Sequence, residues 1–541
     1  PKRINQFTRY LIFFSIISWL VGCEQEQVSP VKAPAKHVLT SEEGAMMRLG
    51  KQKENAYSVE NMIKAYENLK VNSRLLEDID IHATHLYVRF LPKDSLDYQA
   101  LVSDTTMEFF DFPLDYEIVQ TGNWYHDPSI DVALPTWQYT VVQADHKFRP
   151  FKYEVLAELF LTEDENDPLS GDESSARLNL GVLEMLEDEA LRITGNLEEE
   201  RENARVMGRF NPKGRITIDE VTTDRNTSTT REVALKHTKV RAYRGFKWGY
   251  DWTDANGDFK ISRRFRYSVN YTLLYERGGF AVTNSLGIRT VHKKNSKSRT
   301  WYRRIKYSEE ESWTRATVMN AIDGYVTQAK RYNVKLPVAD QKVKLRAKLK
   351  KGRSNALGVA RHYEPAIALL KRNDVVLYTR FKSNARYETD DLFSLVMHEL
   401  GHVSHHLKSP INVILSIGIV GESWATMIEY YFTRPYYPEE VNHLDDQNRI
   451  DIEDGGDDSW KYTPVFIDMI DDSNQRDDHD SDDFADDDVE GYSIWNIHRA
   501  LDNKTKLDGV KDFLKDNYAN TTERHLDKLV GFYNDIKEDN K

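Results

Sequence analysis

The sequence predicts a multidomain α+β protein, and three observations carry that expectation. The chain is 541 residues long, several times a typical domain, so its apolar residues must be shared among more than one core. Hydrophobic residues make up 40% and charged residues 30%, the balance of a folded globular chain and not of a disordered or multi-span membrane one. The hydrophobic pattern also changes period along the chain. It is mixed before residue 210, mostly strand-like from about 213 to 285, and mostly helical from Ser308 onward.

The chain begins with Lys2, Arg3 and Arg9, an apolar stretch LIFFSIISWL, and then Leu20-Val-Gly-Cys23. A basic start and an apolar run too short to span comfortably are the parts of a secretory signal. LVGC resembles the bacterial lipobox. The resemblance implies removal of residues 1–22, diacylation of Cys23 and a membrane anchor made of lipid alone. Residues 23–55 carry Pro30 and Pro34 in a polar context and read as a tether. Cys23 is the one cysteine of the chain, so neither a disulfide framework nor a thiolate metal site is available.

Residues 56–210 read as an α+β domain. Ser58 caps a helical pattern through Met62, Tyr66 and Leu69, and strand-like alternations follow at 83–91, 105–112, 137–144 and 153–161. The acidic run from Glu163 to Asp172 reads as a loop, and Leu180 to Leu191 as a short helix. Residues 211–288 are expected to be a small β-sandwich. Asp254-Ala-Asn-Gly257 is its clearest turn, with Gly257 free to take a positive φ. Thr253, Asp254, Gly257 and Phe259 resemble the turn of the transthyretin-like accessory domain of carboxypeptidases. An EF-hand is excluded there, because Phe265 stands where its last acidic ligand would be.

Residues 289–541 are expected to form a third, mainly helical domain. A basic stretch runs from Arg289 to Arg353, broken by Ser308-Glu-Glu-Glu311, which reads as a capping box opening a long helix through Tyr332. With a net charge of −13, no nucleic-acid partner is expected, and the stretch reads as a solvated face. The Asp-rich segment 445–490 is a flexible loop or a weak Ca2+ site by composition.

The chemistry concentrates in Asp391 to Leu407, DLFSLVMHELGHVSHHL. His398-Glu399-Leu400-Gly401-His402 matches HExxH, which on a helix puts two imidazoles on one face toward a single ion and places Glu399 beside it as a general base. Thr389 or Asp390 can cap this helix, and VVLY at 375–378 supplies a preceding strand. A metzincin would need Gly at 405 and His at 408, where this chain has His405 and Lys408. His405 and His406 read as surface residues or as neighbours of the ligands. The third ligand should then be a Glu on a second helix, and Glu422 lies 20 residues beyond His402. Glu422 followed by Ala425 resembles the ExxA helix of gluzincin peptidases, while Glu429, seven residues on and on the same face, is the rival ligand or a supporting acid. For the donor that stabilises an oxyanion, Tyr430, Tyr431, Tyr492 and His498 are candidates, with Tyr492 preferred.

LVGC, SVENMIKAYENL, FKWGYDWTDANGDF, HELGH and YTPVFIDMIDD together resemble the zinc-binding metallopeptidase lipoproteins of Bacteroidota. The resemblance implies a zincin-like catalytic domain with one Zn2+, a peptide or protein substrate lying along the preceding strand, and a lipid-anchored place in the outer membrane or on the surface of a Gram-negative cell. The competing expectation is a surface-binding lipoprotein for glycan or host protein, with an inert zincin domain.

Overall fold

The computed structural model describes residues 46–71, 79–161, 180–197, 208–224, 227–284, 287–294, 296–338, 342–352, 354, 374–409, 418–445, 461–479, 484–502 and 504–539. The leader with Cys23, the acidic run from 163 to 172, and parts of the 445–490 segment lie outside them.

The first region mixes helix and strand. Its strands are β1 (Arg48–Gln52), β2 (His85–Phe90), β3 (Tyr116–Gln120), β4 (Gln138–Gln143) and β5 (Tyr153–Leu159), and its helices are α1 (Val59–Val71), α2 (Ser95–Val102) and α3 (Leu180–Ile193). β4, β2 and β5 form an antiparallel sheet and β1 pairs with β3. Ser58 caps α1, its Oγ accepting from the Asn61 N–H at 3.2 Å. Met62, Ala65 and Leu69 of α1 share a core with Leu186 and Ala190 of α3 and Tyr87 of β2. The expected strand at 105–112 does not form and leaves an isolated bridge from Phe110 to Tyr139. Asp104 takes the Thr106 N–H into a tight turn at 3.0 Å. Met107 to Phe110 are then buried one after another, where a strand would alternate.

The β-rich stretch contributes β6 (Lys213–Asp224), β7 (Thr227–Ala234), β8 (Lys239–Arg244), β9 (Lys247–Trp252), β10 (Asp258–Lys260), β11 (Asn270–Leu274), β12 (Glu276–Arg277), β13 (Phe280–Val282), β14 (Val291–Lys293) and β15 (Thr300–Ile305). One sheet orders β10-β6-β15 with β7 on β6, and another orders β14-β11-β8-β9. Ile216 and Phe259 of the first share a core with Val240, Tyr271 and Leu273 of the second. The Asp254 turn forms: its Oδ1 accepts from the N–H of Asn256 at 2.7 Å and of Asp258 at 2.9 Å, and Gly257 sits at φ +79°. A Cβ on Gly257 would stand 2.3 Å from the Ile216 carbonyl oxygen, so the turn demands glycine twice over.

The expected boundary at 288 is crossed by sheet pairing. β15 runs parallel to β6, and β13 runs parallel to β16 (Val343–Lys351), which carries β17 (Val375–Arg380) on its other side. The basic stretch is not a solvated face throughout: Arg289 pairs with Glu276, and the Lys293 ammonium is buried beside Asp111 and over the Phe112 ring.

Three helices form the layer beside this sheet: α4 (Glu310–Arg331), α5 (Thr389–Lys408) and α6 (Ile419–Thr433). The caps differ from expectation. Glu309 precedes α4 without a side-chain cap, and Glu388 precedes α5, donating its N–H to Asp391 Oδ2 at 2.7 Å. Thr389 Oγ1 instead accepts from the Val221 N–H, tying the start of α5 to β6. Both neighbours reach the backbone of α5: Tyr325 of α4 donates to the Leu400 carbonyl at 2.9 Å, and the Trp424 indole of α6 to the Gly401 carbonyl at 3.0 Å. α5 and α6 touch at Gly401, where an added Cβ would lie 2.9 Å from the Ala425 Cα.

This contact sets two effects against each other in Gly401→Ala. Helix propensity alone would stabilise by about 1 kcal/mol; overpacking against a backbone atom costs about 1–3 kcal/mol. Ala425 Cα cannot rotate away, so the contact wins. Urea unfolding should show a lower midpoint for the variant, and an unchanged or higher midpoint would refute the close approach.

Candidate metal centre

α5 lies between α4 and α6, so most of it is buried. His398 and His402, four residues apart, share the face that turns toward Glu422 in the first turn of α6. Glu422 Oε2 is 3.0 Å from His402 Nε2 and 3.5 Å from His398 Nε2. Tetrahedral ligands about 2.0–2.1 Å from a zinc ion stand about 3.3–3.4 Å apart, so the Glu422 oxygen already stands from each nitrogen at close to the spacing of a coordination shell. Among the described residues these three form the group whose ligand atoms lie within 4.8 Å of one another, and the aspartates of the 445–490 segment form no such group.

Glu429 stands behind this group. Its Oε2 is 2.9 Å from His398 Nδ1, and its Oε1 accepts from Ser394 Oγ at 2.6 Å. A carboxylate on Nδ1 fixes the ring and leaves Nε2 to face Glu422, the arrangement that orients metal-bound histidines. The charges agree with that geometry. Burial disfavours the His398 imidazolium, but hydrogen bonds to Glu422 and Glu429 hold its pKa well above the usual value. Burial would raise Glu422, yet His402 and His398 hold it below the usual carboxylate range. The pocket therefore concentrates negative charge that a cation can replace protons to neutralise.

Glu399 is 4% exposed and its Oε2 has no hydrogen-bond partner. Burial pushes its carboxyl up to about 7, against the opposing pull of His402 and His398. An acid poised there can exchange a proton near neutral pH. The donor set, two imidazoles and one carboxylate with an idle buried acid alongside, fits zinc well.

The other expected residues fall elsewhere. Tyr492 is buried in the helical core, its hydroxyl without a hydrogen-bond partner, and the charge that acts on it is Glu523, not a member of the cluster. Tyr430 donates to Asp445 and accepts from Arg434. His498 stacks on Trp424 at 5.3 Å between centroids. His405 and His406 are not surface residues: α5 carries both into the core one turn past His402, and burial pushes His405 down to about 3. The residue that sequence reasoning missed is Tyr462, whose ring stacks on His398 at 5.9 Å between centroids. Thr463 beside it meets Ser423 Oγ at 2.7 Å, so this segment closes over the start of α6. Its YTPVF spacing carries no metal-site signal, and only the fold brings it there.

Among the described residues of the acidic segment, Asp468 and Asp487 are buried and Asp471 is half-buried. Asp468 accepts from Tyr533 Oη at 2.7 Å. Burial, then repulsion among themselves and Asp445, pushes Asp468 up to about 7, Asp471 to about 8 and Asp487 to about 9. Raised carboxyl pKa values mean that the folded state holds protons the unfolded state has already lost. Stability should therefore fall as pH rises from about 4 through those values. The midpoint of thermal unfolding should drop between pH 5 and 9 (on the order of degrees), and Asp487→Asn should flatten that slope; an equal slope in the variant would contradict the assignment.

Comparison of the chain with protein-family models, with curated protein sequences and with solved structures finds no match in any of the three.

Proposed function

We propose that the chain is a zinc-dependent peptide-bond hydrolase of gluzincin-like design, carried on the outer membrane by a lipid at Cys23. The observation that supports it most is the convergence of His398, His402 and Glu422 with the unpartnered carboxyl of Glu399 beside them. The short spacing of HExxH and a glutamate from the next helix are the features it shares with gluzincins. The zincin-like catalytic domain and the transthyretin-like sandwich are part of the same reading.

Zinc bound at these three ligands supplies a Lewis acid for the scissile carbonyl and lowers the pKa of water toward about 7. Glu399 Oε2 takes the proton of the attacking water and passes it to the amide nitrogen as that nitrogen leaves. Glu429 and Ser394 keep the His398 ring aligned throughout, and Tyr462 covers its face. β17, the last strand of its sheet among the described residues and the one before α5 in the chain, is the strand along which an extended peptide would lie in this reading.

Three variants of residues 23–541, each assayed for bound zinc and for cleavage of a quenched-fluorescence peptide library, test the assignment. Glu399→Gln should keep zinc and lose about 10²–10⁴ of the rate. Glu422→Gln should lose the metal and the activity together. Glu429→Gln should retain the site but weaken zinc by about 10–100-fold, the usual cost of removing a carboxylate behind a ligating histidine. A wild-type chain that takes up no zinc, or a Glu399→Gln variant with full activity, would overturn the proposal.

A further inference from the structure

A second built site lies where the first region meets the β-rich stretch. A cavity of about 510 Å3 is lined on one side by Glu108 and its neighbours and on the other by Lys239, Trp248, Tyr250 and Trp252, with Glu276, Arg289 and Lys342 at its base. Such a volume suits a small organic ligand.

The aromatic wall follows from strand geometry. Residues 248, 250 and 252 of β9 alternate with 249 and 251, so their side chains share one face. Trp248 and Tyr250 lie nearly parallel, with centroids 6.1 Å apart and planes 9° apart, and Tyr250 meets Trp252 edge to face at 5.1 Å. The wall runs from a buried Trp248 to a Trp252 that is 43% exposed. Opposite Trp252 in the β8–β9 register stands Lys239, whose ammonium lies 4.2 Å from the Tyr250 ring centroid. An exposed tryptophan that ends a ladder of rings at the mouth of a cavity is not needed by any core.

The base is charged but balanced. Glu108 takes Lys239 at 2.7 Å, and Glu276 takes Lys239 at 3.2 Å, Lys342 at 2.9 Å and Arg289 at 3.2 Å. Every cation lining the cavity is thus already paired with a carboxylate, and little charge is left to draw in an ion. What remains is a fixed set of donors and acceptors, together with a buried Trp248 Nε1–H that has no hydrogen-bond partner. A ligand that matches must offer a flat apolar face to the rings and a rim of groups that both donate and accept, without net charge. A pyranose ring has that chemistry: C–H bonds on its faces and hydroxyls around its edge.

We propose that this cavity binds a neutral saccharide, with one sugar ring stacked on Trp252 at the mouth and its hydroxyls toward Glu108, Lys239 and Glu276. The site is separate in its residues from the metal centre and does not depend on it.

Calorimetric titration of the full chain with neutral tetrasaccharides of glucose, N-acetylglucosamine, mannose and galactose tests this directly. At least one should bind. Trp252→Ala should weaken that sugar by about tenfold, the scale of one aromatic stack, and Trp252→Phe should recover most of the loss. Thermal unfolding and zinc content should match wild type in both variants, because Trp252 is half exposed and far from any core role. Failure of all four sugars to bind below about 10 mM, equal binding by Trp252→Ala, or tighter binding of a sulphated counterpart would each overturn the proposal.

Discussion

The close approach of two helices at Gly401 and Ala425 is the constraint on which the rest of the site depends. His398 and His402 are fixed by their own helix, but Glu422 belongs to another, and its carboxylate reaches them only if the two backbones nearly touch. A side chain at 401 would stand 2.9 Å from the Ala425 Cα, and the shift needed to relieve that contact exceeds the roughly 0.2 Å within which metal–ligand distances hold. The residue between the two histidines that face Glu422 is thus chosen by packing. Hydrogen bonds from Tyr325 and Trp424 to the carbonyls of Leu400 and Gly401 hold the same segment from both sides, so the approach is braced where it matters.

Burying so much charge in a helical layer is costly unless each group has a partner. The structure meets that cost by chaining the groups: Ser394 to Glu429, Glu429 to His398, and His398 and His402 to Glu422. Glu399 is left outside the chain, with an oxygen that nothing satisfies. An idle buried carboxyl beside a preassembled ligand set is poor design for stability and good design for proton transfer. Its presence supports the proposed reactive centre over a purely structural metal clip, which would have no use for it.

How much of this could be read from the residues differs between the parts. HExxH marked its helix because the motif's spacing is the helix period, and Glu422 stood out because, followed by Ala425, it resembles the ExxA helix of gluzincins; the structure brings it beside both imidazoles. The same i,i+7 spacing made Glu429 look equivalent. Only the packing of the two helices distinguishes them, placing Glu422 beside the Nε2 atoms and Glu429 on the Nδ1 of His398. Tyr462 was invisible, since nothing in its neighbours marks it as close to residue 398. The strand expected at 105–112 failed because alternation there competes with an Asp104 turn and a run of consecutive buried residues. The boundary expected at 288 failed for a related reason: composition shifts mark where a chain changes character, whereas sheet pairing between β6 and β15 and between β13 and β16 joins what composition divides. The basic stretch misled in the same way, because Arg289 and Lys293 are charges used inside the protein.

The central claim, that α5 and α6 together present one three-ligand zinc centre, is tested most directly by a crystal structure of the zinc-loaded chain with diffraction recorded on either side of the zinc absorption edge. The account predicts a single anomalous peak within about 2.0–2.2 Å of His398 Nε2, His402 Nε2 and a Glu422 oxygen, with Glu429 still on His398 Nδ1. A peak bound by Glu429 in place of Glu422, or none between these helices, would contradict it.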